Sequence, residues 1–224
     1  LLGTFLVRSG VITSVHSFAA DPTRGLAILA ILGIVIGAGL IAFALRGWRL
    51  TVESNYGVKS RETLLVINNI VILVATLVVL LGTLYPIIAD SFNLGQVSVG
   101  PPYFNALFVP LTWLILLTMG MGSNMRWKQD KRPLLGISLT ILVSSALLAA
   151  IVTYLFTQSL NLQIIVTSLL CLWVLGWIIY DVKDKTKNAA TFGQGIKRLK
   201  AHYWGMQIAH IGLLIVAMGV GVTL

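Results

Sequence analysis

Three histidines, His16, His202 and His210, are the residues of this chain best suited to ligate iron or to move a proton. Imidazole binds haem iron and changes its charge near neutral pH. His210 lies inside the last apolar stretch, eight residues beyond His202, which corresponds to about 12 Å along a helix. If this stretch crosses a membrane, His210 lies near its middle, and an ionisable side chain there predicts a functional site.

The sequence leaves three roles open for His210: a hydrogen bond to a serine or threonine of a neighbouring helix, a relay in a proton path, or an axial ligand of haem. No second histidine lies within an apolar stretch. Ligation by two histidines would therefore need a partner from outside the chain. His202, beside Tyr203 and Trp204, is better suited to anchor the helix at the membrane interface.

His16 lies in the segment 14–24, where Asp-Pro-Thr predicts a turn and the start of a helix. Its imidazole is therefore expected at the rim of the membrane. One reading is a solvated loop histidine. Another is contact with a flat anionic ligand such as haem, because Phe18, Arg8 and Arg24 lie nearby in sequence and arginine pairs with carboxylates such as the haem propionates. Arg8 could instead extend its charged end to the interface.

The elements that must position these residues are transmembrane helices. The chain is 57% hydrophobic and only 10% charged, which excludes an ordinary soluble domain. We expect an all-α polytopic transmembrane helical bundle with six full spans plus one partial N-terminal span at 1–15, forming a single domain over residues 1–224. The six apolar stretches are 25–45, 66–88, 106–125, 134–156, 163–181 and 203–224.

The net charge of +9 follows from topology and needs no nucleic-acid partner. Three loops hold 14 of the 16 basic residues, and the positive-inside rule predicts that these loops are cytoplasmic. The loops around His16, at 89–105 and at 157–162 are then expected on the opposite side. The basic residues are Arg46, Arg49, Lys59 and Arg61 in the first loop, Arg126, Lys128, Lys131 and Arg132 in the second, and six between Lys183 and Lys200 in the third.

Other features point to packing rather than chemistry. Cys171, the single cysteine, is predicted to be a small buried hydrophobe. Small residues at 25, 33, 37 and 39, and again at 205, 209 and 212, predict close helix packing or the approach of a flat ligand. The loop 97–105 contains Pro101 and Pro102 and is either the start of a helix or a rigid platform for a partner. No phosphate-binding loop or zinc-protease motif occurs.

Six strings in this order resemble the CcmF/NrfE family of cytochrome c biogenesis proteins. They extend over almost the whole chain, and several are long and of unusual composition. They are GTFLVRSGV at 3–11, TSVHSFAADP at 13–22, SRE at 60–62, GTLYP at 82–86, VGPPYFN at 99–105 and GMQIAHIG at 205–212.

The resemblance implies a haem lyase subunit of the bacterial cytoplasmic (inner) membrane, which joins haem to apocytochrome c on the periplasmic side. It implies that His16 is an axial ligand of the substrate haem awaiting attachment, and that His210 holds a resident haem b. Arg8 is a further candidate for haem binding. The implied partners are apocytochrome c, the haem chaperone and thiol-handling subunits of the maturation system, and the lipid bilayer.

One departure from the family pattern affects this prediction. The family's tryptophan-rich segment, of the type Trp-Gly-x-Trp-Trp-x-Trp-Asp, is absent, and so are its other outer and embedded histidines. We therefore expect a partial chain that supplies at most one ligand to each haem and is inactive as a haem lyase by itself. The alternatives are a secondary transporter with an intramembrane histidine and a non-catalytic scaffold of the maturation complex.

Overall fold

The computed structural model describes residues 1–9, 21–49, 55–95, 99–157 and 161–223. In these ranges the chain forms eight α-helices and one short 3-10 helix at Gly47–Arg49, with no strand. The helices are α1 (Leu2–Arg8), α2 (Pro22–Arg46), α3 (Arg61–Ser91), α4 (Pro101–Gly122), α5 (Leu134–Thr157), α6 (Leu162–Thr186), α7 (Phe192–Arg198) and α8 (Ala201–Thr223).

Six of the helices, α2 to α6 and α8, are long and apolar enough to cross a membrane. The predicted all-α polytopic architecture is thereby confirmed, and the chain is a multi-pass membrane protein. Helix α1 covers only the first part of the predicted partial span at 1–15, and residues 10–15 lie outside the described ranges. Helix α7 was not expected, because its seven residues are too few and too polar to give an apolar signal.

The helix ends differ from the apolar stretches because polar residues cap them. Helix α3 begins at Arg61 rather than 66, since Ser60 Oγ accepts a hydrogen bond from the Thr63 backbone nitrogen at 3.2 Å. Helix α6 continues five residues beyond the predicted end, to Thr186. Its N-cap, Asn161, accepts from the backbone nitrogens of Gln163 and Ile164.

The chain divides into two compact units, residues 1–54 with 83–98, and residues 55–82 with 99–224. In the first unit, the Asp21 backbone nitrogen donates to the Arg8 carbonyl at 3.0 Å, which ties α1 to α2. Asp21 is the N-cap of α2 and Pro22 its first residue, as the sequence predicted. The backbone N–H groups of Arg24 and Thr23 lower the pKa of the Asp21 carboxyl. That residues 1–224 form a single domain stays a prediction.

The second unit is built around α6, which packs against α4, α5 and α8. Its core contains Trp177, which is completely buried, and Trp173, whose indole nitrogen donates to the Leu117 carbonyl at 3.2 Å. Two glycines make this packing possible. A Cβ atom on Gly120 would clash with the Trp173 indole, and one on Gly176 would lie 2.5 Å from Ile141 Cγ2.

The loop between α4 and α5 is fixed to the start of α3 at the predicted cytoplasmic end of the second unit. Glu62 accepts from the Lys128 backbone nitrogen at 2.8 Å, and Asp130 donates its own N–H to the Lys59 carbonyl. Arg132 forms a 2.6 Å ion pair with Asp130 and donates to the Asn124 carbonyl. The hydrogen bonds from Arg132 hold the pKa of the Asp130 carboxyl well below its usual range.

The proline pair at 101 and 102 begins α4, so this segment is the start of a helix rather than a separate platform. Tyr103 and Phe104 lie in its first turn and pack against Gly82 of α3, where a Cβ atom would lie 2.5 Å from the Tyr103 ring. The Tyr103 hydroxyl donates to the Val78 carbonyl at 3.1 Å. The aromatic pair therefore holds α4 against α3.

Candidate functional site

His210 lies on the face of α8 that packs against α6. Positions 203, 207, 210, 214, 217 and 221 follow one another at alternating intervals of four and three residues, which places them on one stripe of a helix. Every position of this stripe except His210 is buried, and His210 is half-buried. The histidine therefore lies on the packed face of a membrane-spanning helix, with part of the residue accessible.

One ring nitrogen of His210 already has a partner. Its Nδ1 atom lies 2.8 Å from the carbonyl oxygen of Met206, one turn earlier in α8. A carbonyl can only accept a hydrogen bond, so Nδ1 carries the proton and the neutral ring keeps its lone pair on Nε2. Histidines that ligate metals commonly have this arrangement, because the bond at one nitrogen fixes the tautomer and directs the other nitrogen towards the metal.

The two helices α6 and α8 run antiparallel in a register that three contacts define. Asp181 of α6 accepts from Tyr203 and Gln207 of α8 at one end. Further along, the Cys171 thiol lies 3.7 Å from the Leu214 carbonyl oxygen. At the far end, a Cβ atom on Gly221 would lie 2.9 Å from Cγ2 of Thr167. His210 lies between the first and second of these contacts along α8.

The polar cluster around Asp181 is the part of the site that sequence reasoning missed. Asp181 is only 4% exposed, and its carboxylate accepts from Tyr203 Oη at 2.8 Å and from Gln207 Nε2 at 3.2 Å. Lys185 also forms an ion pair with it. In the sequence, an acid near the end of an apolar stretch indicates only where the membrane span ends. The available signal was Gln207, a lone amide one turn before His210 in an apolar helix.

Two packing predictions can be compared with the structure. Cys171 is buried in the core of the second unit, as predicted. Gly25 makes the predicted close approach, since a Cβ there would lie 3.1 Å from Ser9. Close packing at positions 33, 37, 39, 205 and 212 is not found: within the described part of the chain, a Cβ at any of them would meet no atom within 4 Å. These glycines of α2 and α8 therefore do not mark close helix contacts within the described part of the chain.

Of the remaining candidate residues, the structure describes Arg8 and His202. Arg8 is half-buried in the last turn of α1, in the first unit. His16, the predicted ligand of the substrate haem, lies outside the described residues. His202 is exposed at the start of α8, consistent with an interfacial position. Among the residues that the structure describes, no group of three or more histidine, cysteine or acidic side chains could hold a metal ion.

An apolar cavity of about 190 Å³ lies between α4, α6 and α8, lined among others by Phe108, Trp113, Leu213 and Val216. The Trp113 indole donates to Thr167 Oγ1 at 3.0 Å beside it. His210 does not line this cavity.

Comparison with known proteins identifies what the chain is related to. The cytochrome c-type biogenesis protein CcmF of Pseudomonas aeruginosa is 45% identical over 221 residues, which are 98% of this chain and 33% of that protein. CcmF of Escherichia coli K12 is 39% identical over 224 residues, and the biogenesis protein NrfE of Haemophilus influenzae is 34% identical over 225. This chain is a partial homologue of CcmF and NrfE. It spans about a third of the length of the curated relatives it matches.

The homology to CcmF and NrfE confirms the resemblance drawn from the six strings. A match over 98% of the chain omits at most a few residues, so the aligned region includes Arg8, His16 and His210. No family model matches the chain. No solved structure matches it either.

Proposed function

We propose that this chain is part of a cytochrome c haem lyase subunit and that His210 is an axial ligand of a resident haem b. The observation that carries the proposal is the hydrogen bond between His210 Nδ1 and the Met206 carbonyl oxygen, at 2.8 Å. It leaves Nε2 as the nitrogen with a free lone pair, near the middle of a membrane-spanning helix. The relatedness to CcmF and NrfE supports a role in cytochrome c maturation.

The donor chemistry of His210 fits a haem iron. A neutral imidazole is a common axial ligand, and its outer hydrogen bond to a carbonyl increases its basicity. A bound haem b would supply one-electron redox chemistry at this position. The chain itself holds the imidazole in one tautomer and orientation. The second axial ligand is proposed to come from outside this chain, since no other histidine lies within the six apolar stretches.

For the substrate haem we propose His16 as the ligand and Arg8 as a partner of a propionate. The protein's contribution would be position: holding haem against the apocytochrome replaces a random encounter by an oriented one, an effect worth up to roughly 7–11 kcal/mol. The thiols that add to the haem vinyl groups belong to apocytochrome c. No catalytic cysteine is then needed, which agrees with the burial of Cys171.

We also propose the sidedness of the protein. The three basic loops face the cytoplasm and the His16 segment faces the periplasm, where attachment to apocytochrome c takes place. The haem chaperone and the thiol-handling subunits of the maturation system are the proposed further partners. The membrane is the bacterial inner membrane.

The resident haem is tested by the absorption spectrum of the purified full-length protein. We expect His210→Ala to remove the reduced b-type spectrum, because the imidazole ligand is lost. His202→Ala is the matched control: it removes the same side chain from an exposed position on the same helix, and should leave the spectrum unchanged. An unchanged spectrum in His210→Ala protein would exclude His210 as an iron ligand.

The substrate site is tested separately by cytochrome c maturation in cells. His16→Ala in the full-length protein should abolish formation of holocytochrome c while the resident b-type spectrum remains. Normal maturation by this variant would show that His16 is a solvated loop residue. If the protein is purified without any haem, the alternative that it is a non-catalytic scaffold of the maturation complex is favoured instead.

A further inference from the structure

Helix α8 cannot obtain its rotational position from apolar burial alone. In a bilayer, lipid is as apolar as a neighbouring helix, so close packing and hydrogen bonds decide how one helix faces another. Most of α8 is exposed in this chain, including Ile208, Ile215 and Val216 at more than half of their full accessibility. The direction in which α8 presents His210 therefore depends on its few specific contacts with α6.

The strongest of these contacts is centred on Asp181. Its carboxylate binds Tyr203 and Gln207, which lie one turn apart on α8. All three residues are less than a tenth exposed. Because one carboxylate holds two points of the same helix, it fixes both the height and the rotation of α8 at this level.

Gln207 connects this contact to the histidine. It lies three residues before His210 on the same packed stripe of α8. Its Nε2 donates to Asp181, while its Oε1 atom is buried and has no hydrogen-bond partner among the described residues. Asp181 is thus the described hydrogen-bond partner that orients the buried Gln207 side chain.

A buried carboxylate in a membrane-spanning helix is costly and needs a compensating role. We infer that Asp181 is a positioning residue: through Tyr203 and Gln207 it sets the rotation of α8 and so the direction of His210 Nε2. This inference rests on the proposed function of His210 as a haem ligand. If it is correct, Asp181 of α6 belongs to the haem site although it need not touch the haem, because it acts through Gln207 of α8.

The test compares three variants of the full-length protein. Asp181→Leu removes both hydrogen bonds to α8. Asp181→Asn keeps a side-chain oxygen that can accept from both Tyr203 and Gln207. Asp184→Asn is the matched control, because Asp184 lies on the same helix and its ion pair is with Lys187 of the same segment. For each protein we would measure haem content, the low-spin ferric electron paramagnetic resonance spectrum and the haem midpoint potential.

For Asp181→Leu we expect about tenfold weaker haem retention, at the lower end of the effect of residues behind a metal ligand. The haem that remains should show altered g-values and a shifted midpoint potential. Asp181→Asn should restore both towards wild type, and Asp184→Asn should leave both unchanged. If Asp181→Leu protein does not accumulate, the Tyr203→Phe, Gln207→Leu double variant removes the same two hydrogen bonds and takes its place.

The inference is overturned if these proteins keep wild-type g-values and potential while His210→Ala loses its haem. Retention of haem by His210→Ala would instead sink the proposed function. The two failures are therefore distinguished by different variants in one series of measurements.

Discussion

Helices α2 and α6 are both 25 residues long and both apolar enough to cross a membrane, yet their surroundings differ completely. In α2 almost every described side chain is exposed, with Leu40 and Phe43 each about two-thirds accessible. Helix α6 packs against three neighbours and buries Trp173 and Trp177. Apolar length therefore identifies a span but does not say what the span packs against.

The difference lies in the side chains other than the aliphatic ones. Besides its tryptophans, α6 buries Thr167, Ser168 and Asp181, while α2 between its ends consists of aliphatic residues, alanine, glycine and one phenylalanine. In a membrane, large rings and polar side chains give neighbouring helices something specific to bind. An aliphatic surface finds equally good contacts with lipid.

The largest effect that would test this contrast is expected from removing an aromatic ring. Trp177→Ala should destabilise the protein by about 3–5 kcal/mol, because Trp177 is completely buried. Phe43→Ala in α2 should change the stability by no more than about 0.5 kcal/mol. Chemical unfolding of both variants in the same detergent measures the difference. Equal losses would mean that α2 is held as firmly as α6.

A smaller effect is expected from adding a single methyl group. Gly120→Ala should cost about 1–3 kcal/mol, because the new Cβ would clash with the Trp173 indole. Gly37→Ala in α2 meets no described atom within 4 Å and should be close to neutral. Thermal unfolding of the two variants provides the comparison. A neutral Gly120→Ala would show that α4 and α6 pack less closely than described.

The smallest effect is expected from two acids outside the spans. Asp130→Asn should cost about 1 kcal/mol, because it weakens the bonds to Arg132. Asp21→Asn should have little effect, since asparagine caps a helix as well as aspartate does. The contribution of Asp130 is fully present above its ordinary pKa and is lost as the pH falls through its lowered pKa. The free energy of unfolding, measured from neutral to acid pH, should therefore lack this contribution to its fall with pH in Asp130→Asn protein.

The sequence predicted the number and type of the spans because crossing a membrane requires only length and apolarity. It misplaced the ends of α3 and α6 because local capping by Ser60 and continuation past Asp181 are not apolar signals. It also could not say which span is central. That depends on Trp173 fitting over Gly120, a contact between residues far apart in the chain.

For the candidate site, the sequence identified His210 but not what orients it. An ionisable residue within an apolar stretch is visible without a structure. The bond from Nδ1 to the Met206 carbonyl oxygen and the pairing of Asp181 with Gln207 are not, because they depend on the rotation of α8. The roles of His16 and Arg8 stay predictions.

The central claim, that His210 ligates a haem through Nε2, is tested most directly by imidazole rescue. The reduced spectrum of purified His210→Gly full-length protein should lack the b-type bands and should regain them when imidazole is added, because the free ring replaces the missing side chain. Full b-type bands in His210→Gly protein without imidazole would contradict the claim.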